Sequence, residues 1–111
     1  MAEAQATHGH PEAGGVKSSD FRVQCPCRKM YLLLSDTSGM KPMLEEMTPD
    51  SRDWWAVRLL LLPGVYRYRY YADFGDLVTY VSPTEVGDES VEQMLGLDAV
   101  RVIQPDRQFV N

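Results

Sequence analysis

Leu59 to Asp73 reads LLLLPGVYRYRYYAD: four leucines, a Pro-Gly, then tyrosines alternating with arginines. Alternation at period two marks a strand with one face toward a core and the other toward solvent. Tyr66, Tyr68, Tyr70 and Ala72 fall on one face, and Val65, Arg67, Arg69, Tyr71 and Asp73 on the other. Two arginines do not enter a small core unpaired. The Tyr66/Tyr68/Tyr70 face is therefore expected inward, with Arg67, Arg69 and Tyr71 outward. Pro63-Gly64 reads as a turn, since Pro presets the first central dihedral and Gly accepts positive φ at the second. The preceding run WWAVRLLLL is then the other half of a hairpin. Arg58 marks its solvent side, which places Trp55, Val57, Leu59 and Leu61 inward and leaves Trp54, Leu60 and Leu62 outside or at an edge.

Outward from this stretch, FRVQC, KMYLLLSD, LVTYVS and AVRVIQ are further short strands. Residues 37–53 read as a long loop with at most a helical turn at Met43 to Met47. Residues 83–98 read as another loop, with at most one turn of helix at Val91 to Leu95. Many short strands, turn signals between them and no long helix mean an all-β, mostly antiparallel sandwich or barrel. Residues 1–19 are rich in Ala, Gly, Ser and His with almost nothing to bury, so they are expected to be a disordered tail. The division expected is tail 1–19, β-sandwich domain 20–105 and a short C-terminal tail 106–111.

At 111 residues and 44% hydrophobic content, one small domain with a packed core is expected. The net charge of −5 argues against a nucleic-acid or anionic-membrane surface. No apolar run is long enough to span a bilayer, and the N-terminus lacks the pattern of a secretory signal. A cytoplasmic location is the expectation. Cys25 and Cys27 in QCPCRK lack a second ligand pair, so no metal site is expected, and a disulfide at this spacing would be strained. They read as two reduced thiols flanking a bend at Pro26. No nucleophile elbow, phosphate loop or folded histidine is present, and the expectation is a non-enzyme without cofactor.

The order Trp55, three residues, Leu59, one residue, Leu61, one residue, Pro63-Gly64, then Tyr66-x-Tyr68-Arg69-Tyr70 and Asp73 resembles the family 48 carbohydrate-binding module. That module is the glycogen-binding domain of the AMP-activated kinase β subunit, and it also precedes the catalytic domain of branching and debranching enzymes. The resemblance covers roughly Phe21 to Gln104, with KMYLLLSD similar to the family's strand that leads into its first binding loop. It implies an immunoglobulin-like β-sandwich that binds α-glucans with two exposed tryptophan platforms, a basic residue and an amide. An aromatic face stacks on the apolar C–H face of glucose, while the hydroxyls need polar partners.

Arg69 matches the basic residue. The first platform falls near Met40 and the second near Leu77, neither aromatic, and the amide position lies in GLDAV, which holds Asp98 but no Asn or Gln. Trp54, Tyr71, Phe74 and Tyr80 are the aromatics available as replacements. The binding set expected is Arg69, Arg67, Tyr71 and Trp54, with Leu77 and Met40 at the platform positions. The resemblance thus implies a non-catalytic glycogen- or starch-binding module with a degenerate, weak sugar site. The alternative is a protein-interaction or regulatory module on the same sandwich.

Overall fold

The computed structural model describes residues 15–37 and 41–105. Among the described residues the alternating segments form nine strands and no helix. They are β1 Lys17–Gln24, β2 Lys29–Asp36, β3 Met43–Glu46, β4 Thr48–Ser51, β5 Trp54–Leu61, β6 Gly64–Asp73, β7 Val78–Val81, β8 Met94–Leu95 and β9 Asp98–Ile103.

The strands divide into two antiparallel sheets. The smaller has the order β1-β5-β4; the larger has β3-β2-β6-β9-β8, with β7 also pairing to β6. β6 is the spine of the larger sheet. One of its edges pairs with β2 from Asp73 to Tyr66, while the other is shared by β9 at Gly64 to Tyr68 and β7 at Tyr70 to Asp73. This distribution is that of a β-sandwich, in which the chain passes repeatedly from one sheet to the other.

The core lies between the two inner faces. Phe21 and Val23 of β1 with Trp55 and Leu61 of β5 meet Met30, Leu32 and Leu34 of β2 and Tyr66, Tyr68, Tyr70 and Ala72 of β6. Phe21 and Tyr68 join the sheets edge to face, with centroids 5.0 Å apart. The Trp55 indole donates to the Cys25 carbonyl at 3.0 Å, so its one polar atom is satisfied inside. The face assignments for β5 and β6 agree with the sequence reading.

The expected hairpin is corrected. β5 and β6 are consecutive but do not pair: β5 belongs to the smaller sheet and β6 to the larger. Both edges of each strand are taken by other strands, and Pro63-Gly64 carries the chain across the sandwich. The Tyr66 hydroxyl donates to the Leu62 carbonyl at 2.7 Å, tying the corner. The arrangement has the geometry of a tyrosine corner.

Three local expectations are corrected as well. Met43–Glu46 is an edge strand, and Met94 and Leu95 pair with Ala99 and Asp98. Neither place holds a helical turn, because one isolated turn leaves most of its backbone groups unpaired while a strand edge supplies partners. Lys17, Ser18 and Ser19, expected in the tail, pair with Leu61, Leu60 and Leu59 and belong to β1. A ladder needs backbone rather than apolar side chains, so composition hid these residues in the tail. The rest of the expected N-terminal tail, 1–14, and the C-terminal tail 106–111 lie outside the described residues.

Residues 82–93 close the open side of the sandwich. Asp88 is 5% exposed and accepts hydrogen bonds from Tyr70 Oη at 2.6 Å, Tyr68 Oη at 3.2 Å and the Ser90 backbone N–H at 2.9 Å. Burial first, and the Asp88 charge second, push both phenols above their ordinary range. The Gln24 N–H donates to the Val86 carbonyl at 2.8 Å, and Gly87 lies close against Gln24 with φ +69°. A Cβ at Gly87 would meet Gln24 Cβ at 3.3 Å, so this position needs glycine for both backbone and space. Arg101 completes the closure: it lies 3.9 Å over the Phe21 ring and donates to Ser19, Ser90 and the Asp20 carbonyl.

A candidate ligand-binding face on the larger sheet

The inward tyrosines of β6 force its other residues outward, and register then assembles a face from strands far apart in sequence. Tyr31 of β2 lies opposite Tyr71, and Tyr71 lies opposite Tyr80 of β7, so three tyrosines form one row across three strands. Leu33 faces Arg69 on one side, and Val100 faces Arg67 on the other. The rings of Tyr71 and Tyr80 are stacked, 4.5 Å apart at an angle of 13°. Tyr80 remains 52% exposed. Among the described residues β7 pairs only with β6, which puts Tyr80 at the outer end of the row.

Polar groups meet at the first residue of β9. Arg69 Nε donates to Asp98 Oδ1 at 2.7 Å; Arg67 donates to Oδ2 from Nη2 at 2.9 Å and from Nε at 3.2 Å. The Asp98 side chain is 14% exposed, against 28% for Arg69 and 42% for Arg67. One carboxylate therefore holds two half-buried guanidiniums. Charge-assisted bonds of this kind are strong and directional, so both arginines are oriented before any ligand arrives. The Arg69 guanidinium carbon lies 5.2 Å from the Tyr80 ring centroid. At the margin, Lys29 pairs with Glu46 at 2.8 Å and Arg28 with Asp73 at 3.6 Å.

The face is also apolar. Leu44, Val65, Val78, Leu95 and Val102 are exposed, and their register places them on this side. Phe74 and Leu77 are exposed in the β6–β7 turn, where the Phe74 N–H donates to the Leu77 carbonyl at 2.8 Å.

Of the residues expected to bind, Arg67, Arg69 and Tyr71 share this face, and Leu77 lies in the adjoining turn. Met40 lies outside the described residues. Trp54 does not belong here. It is on the outer face of the smaller sheet, on the far side of the sandwich, with the Arg22 guanidinium 4.0 Å over its ring and Arg22 Nε 2.7 Å from Asp50. Its expected role beside Arg69 required the β5–β6 hairpin and falls with it. Leu60, 68% exposed, goes to the same far side.

Tyr31 and Asp98 were missing from the expected set. Tyr31 was legible, since Met30, Leu32 and Leu34 claim the inward positions of its strand. Asp98 offered one signal: it is the only carboxylate in GLDAV, beside the last strand. Its pairing across 29 and 31 residues had no local signature.

Cys25 and Cys27 are free thiols, and Cys27 Sγ donates to the Lys29 carbonyl at 3.2 Å. Burial, with the neighbouring Cys25 next, pushes the Cys27 thiol up to about 12; burial raises Cys25 as well. Such thiols are poor nucleophiles and poor metal ligands at neutral pH. Compared with known proteins, the chain matches no family model, no curated protein and no solved structure.

Proposed function

We propose that this domain is a non-catalytic α-glucan-binding module of the family 48 type, acting in the cytoplasm, with its site on the outer face of the larger sheet. The observation that carries the reading is Tyr80, stacked on Tyr71 and standing beside the Arg69–Asp98 couple. An exposed aromatic ring offers a stacking surface for a sugar C–H face, and the couple offers both donors and an acceptor for hydroxyls. Tyr80 takes the stacking role that the resemblance assigns to the position near Leu77, and Asp98 stands where it assigns an amide. Both are substitutes, and a single tyrosine gives less contact than two tryptophans. Binding is weak on this reading, in the millimolar range, about 4 kcal/mol.

A second reading, a protein-interaction module, draws on the exposed Leu44, Val65, Val78, Leu95 and Val102 of the same face. Amide NMR titration with maltoheptaose separates the two. Sugar binding here moves Arg69, Tyr71, Tyr80 and Asp98, and Arg69→Ala and Tyr80→Ala weaken the binding that these shifts report without unfolding the domain. Shifts confined to other residues, or tight binding that survives Arg69→Ala, would remove the site from this face. No shift at all favours the protein partner.

A further inference from the structure

We propose that Asp98 sets the charge selectivity of this face: by occupying the donor position shared by Arg67 and Arg69 and offsetting one of their two positive charges, it favours uncharged hydroxylated ligands over anionic ones. The inference rests on the reading of this face as the glycan site.

Two guanidiniums side by side are ordinarily an oxyanion site, because their forked donors match sulfate, phosphate and carboxylate. Here Asp98 occupies that position from within. Its Oδ1 takes Arg69 Nε and its Oδ2 takes both Arg67 Nε and Nη2. Both terminal nitrogens of Arg69 stay without a protein acceptor among the described residues, so donors remain available. A carboxylate accepts about four hydrogen bonds, which leaves Asp98 able to take one more. A hydroxyl group both donates and accepts, and it matches this mixed couple. A sulfate or carboxylate group only accepts, and it would meet the Asp98 charge at contact distance.

The rest of the face repeats the arrangement. Lys29 has Glu46, Arg28 has Asp73, and Arg67 and Arg69 share Asp98, so these four cations face three carboxylates. The net charge of −5 adds a longer-range repulsion against anions. Removing Asp98 leaves Arg67 and Arg69 adjacent and uncompensated, with no other carboxylate paired to either among the described residues.

The test compares maltoheptaose with sulfated maltoheptaose on the wild-type chain, Asp98→Asn and the double variant Arg69→Gln/Asp98→Asn, at about 0.05 M and about 0.5 M salt. Folding of each variant is checked by the dispersion of its amide spectrum. Wild type is expected to take the neutral chain in preference to the sulfated one. Asp98→Asn should gain about tenfold or more in affinity for the sulfated chain at low salt, as a nearby negative charge is removed. The gain should vanish at high salt and in the double variant. A folded Asp98→Asn without the gain, or a wild type that takes the sulfated chain as tightly as the neutral one, overturns the proposal.

A measurement on the wild type alone covers a variant that does not fold. The Nε–H resonances of Arg67 and Arg69 should stay in place under inorganic sulfate, and their movement counts against the proposal. The two readings fail separately. If maltoheptaose binds nowhere yet Asp98→Asn gains the sulfated chain, the charge role stands and the glucan reading falls. If maltoheptaose binds on this face and wild type accepts the sulfated chain equally, the reverse holds.

Discussion

The hydroxyl of Tyr66 reaches back across the Pro63-Gly64 corner to the carbonyl of Leu62, 2.7 Å away. That bond fixes the point at which the chain leaves the smaller sheet and enters the larger. Tyr66→Phe keeps the buried ring and leaves the Leu62 carbonyl without its partner. It should cost roughly 1–2 kcal/mol, read as a lower urea midpoint with an unchanged slope. A neutral substitution would show that the corner is held by packing alone.

Adjacent tryptophans should behave oppositely. Trp55 is buried in the core and hydrogen-bonded to Cys25, whereas Trp54 is half-buried under Arg22 on the outer face. Trp55→Ala should cost roughly 3–5 kcal/mol, close to the whole stability of a small domain, and Trp54→Ala clearly less. Equilibrium unfolding of both variants checks this. Equal losses would mean that the register of β5 is off by one residue.

Asp88 holds residues 82–93 over the open side of the sandwich through Tyr68, Tyr70 and Ser90. Asp88→Ala strands two buried hydroxyls and a backbone N–H, and it should cost about 2–4 kcal/mol. Faster amide exchange at Val86 to Val91 should accompany the loss. Protection that stays at the wild-type level would show that the segment is held by Val86 alone.

Stability should fall in alkali. Burial pushes Cys27 up to about 12 and holds the Tyr70 phenol above its ordinary range, with Asp88 adding to the latter. The unfolded chain gives up these protons at ordinary values, about 8.5 for the thiol and about 10 for the phenol. Unfolding therefore releases protons and is favoured as pH rises. The contribution is complete below about pH 8.5 and is lost progressively toward about pH 12 for Cys27. Denaturant midpoints measured across that window should decline, and Cys27→Ser should flatten the decline. A wild-type midpoint constant from pH 8 to 11 would mean that these groups titrate normally in the folded chain.

On the candidate face, Arg69→Ala removes donors and frees Asp98 Oδ1 while Arg67 still holds Oδ2, and Tyr80→Ala removes the exposed ring. Loss of a ring that stacks on sugar should weaken maltoheptaose binding about tenfold, on the order of 1–1.5 kcal/mol. Folding stability should change by less than about 1 kcal/mol for Tyr80→Ala, since the ring is half exposed. Isothermal titration and thermal unfolding on the same samples separate the two effects. A large loss of stability would make Tyr80 a structural residue rather than part of a site.

The period-two alternation of β6 determined by itself that Tyr66, Tyr68 and Tyr70 lie inside and Arg67, Arg69 and Tyr71 outside. An arginine in a small apolar core is too costly for any other choice, and that cost is local to the strand. The same reasoning assigned Trp55 and Trp54 to opposite faces and made the chain all-β. Alternation specifies a face but not a neighbour. Only the tertiary structure decided that β6 pairs with β2, β7 and β9 rather than with β5, since hydrogen-bond ladders are indifferent to distance along the chain. Trp54 and Arg69, expected on one surface, therefore stand on opposite sides of the sandwich. Tyr31, Tyr71 and Tyr80 share a row, and Asp98 arrives beside two arginines about 30 residues earlier in the chain. Backbone pairing between distant strands brought these side chains together, and the pairing has no signature in the segments themselves.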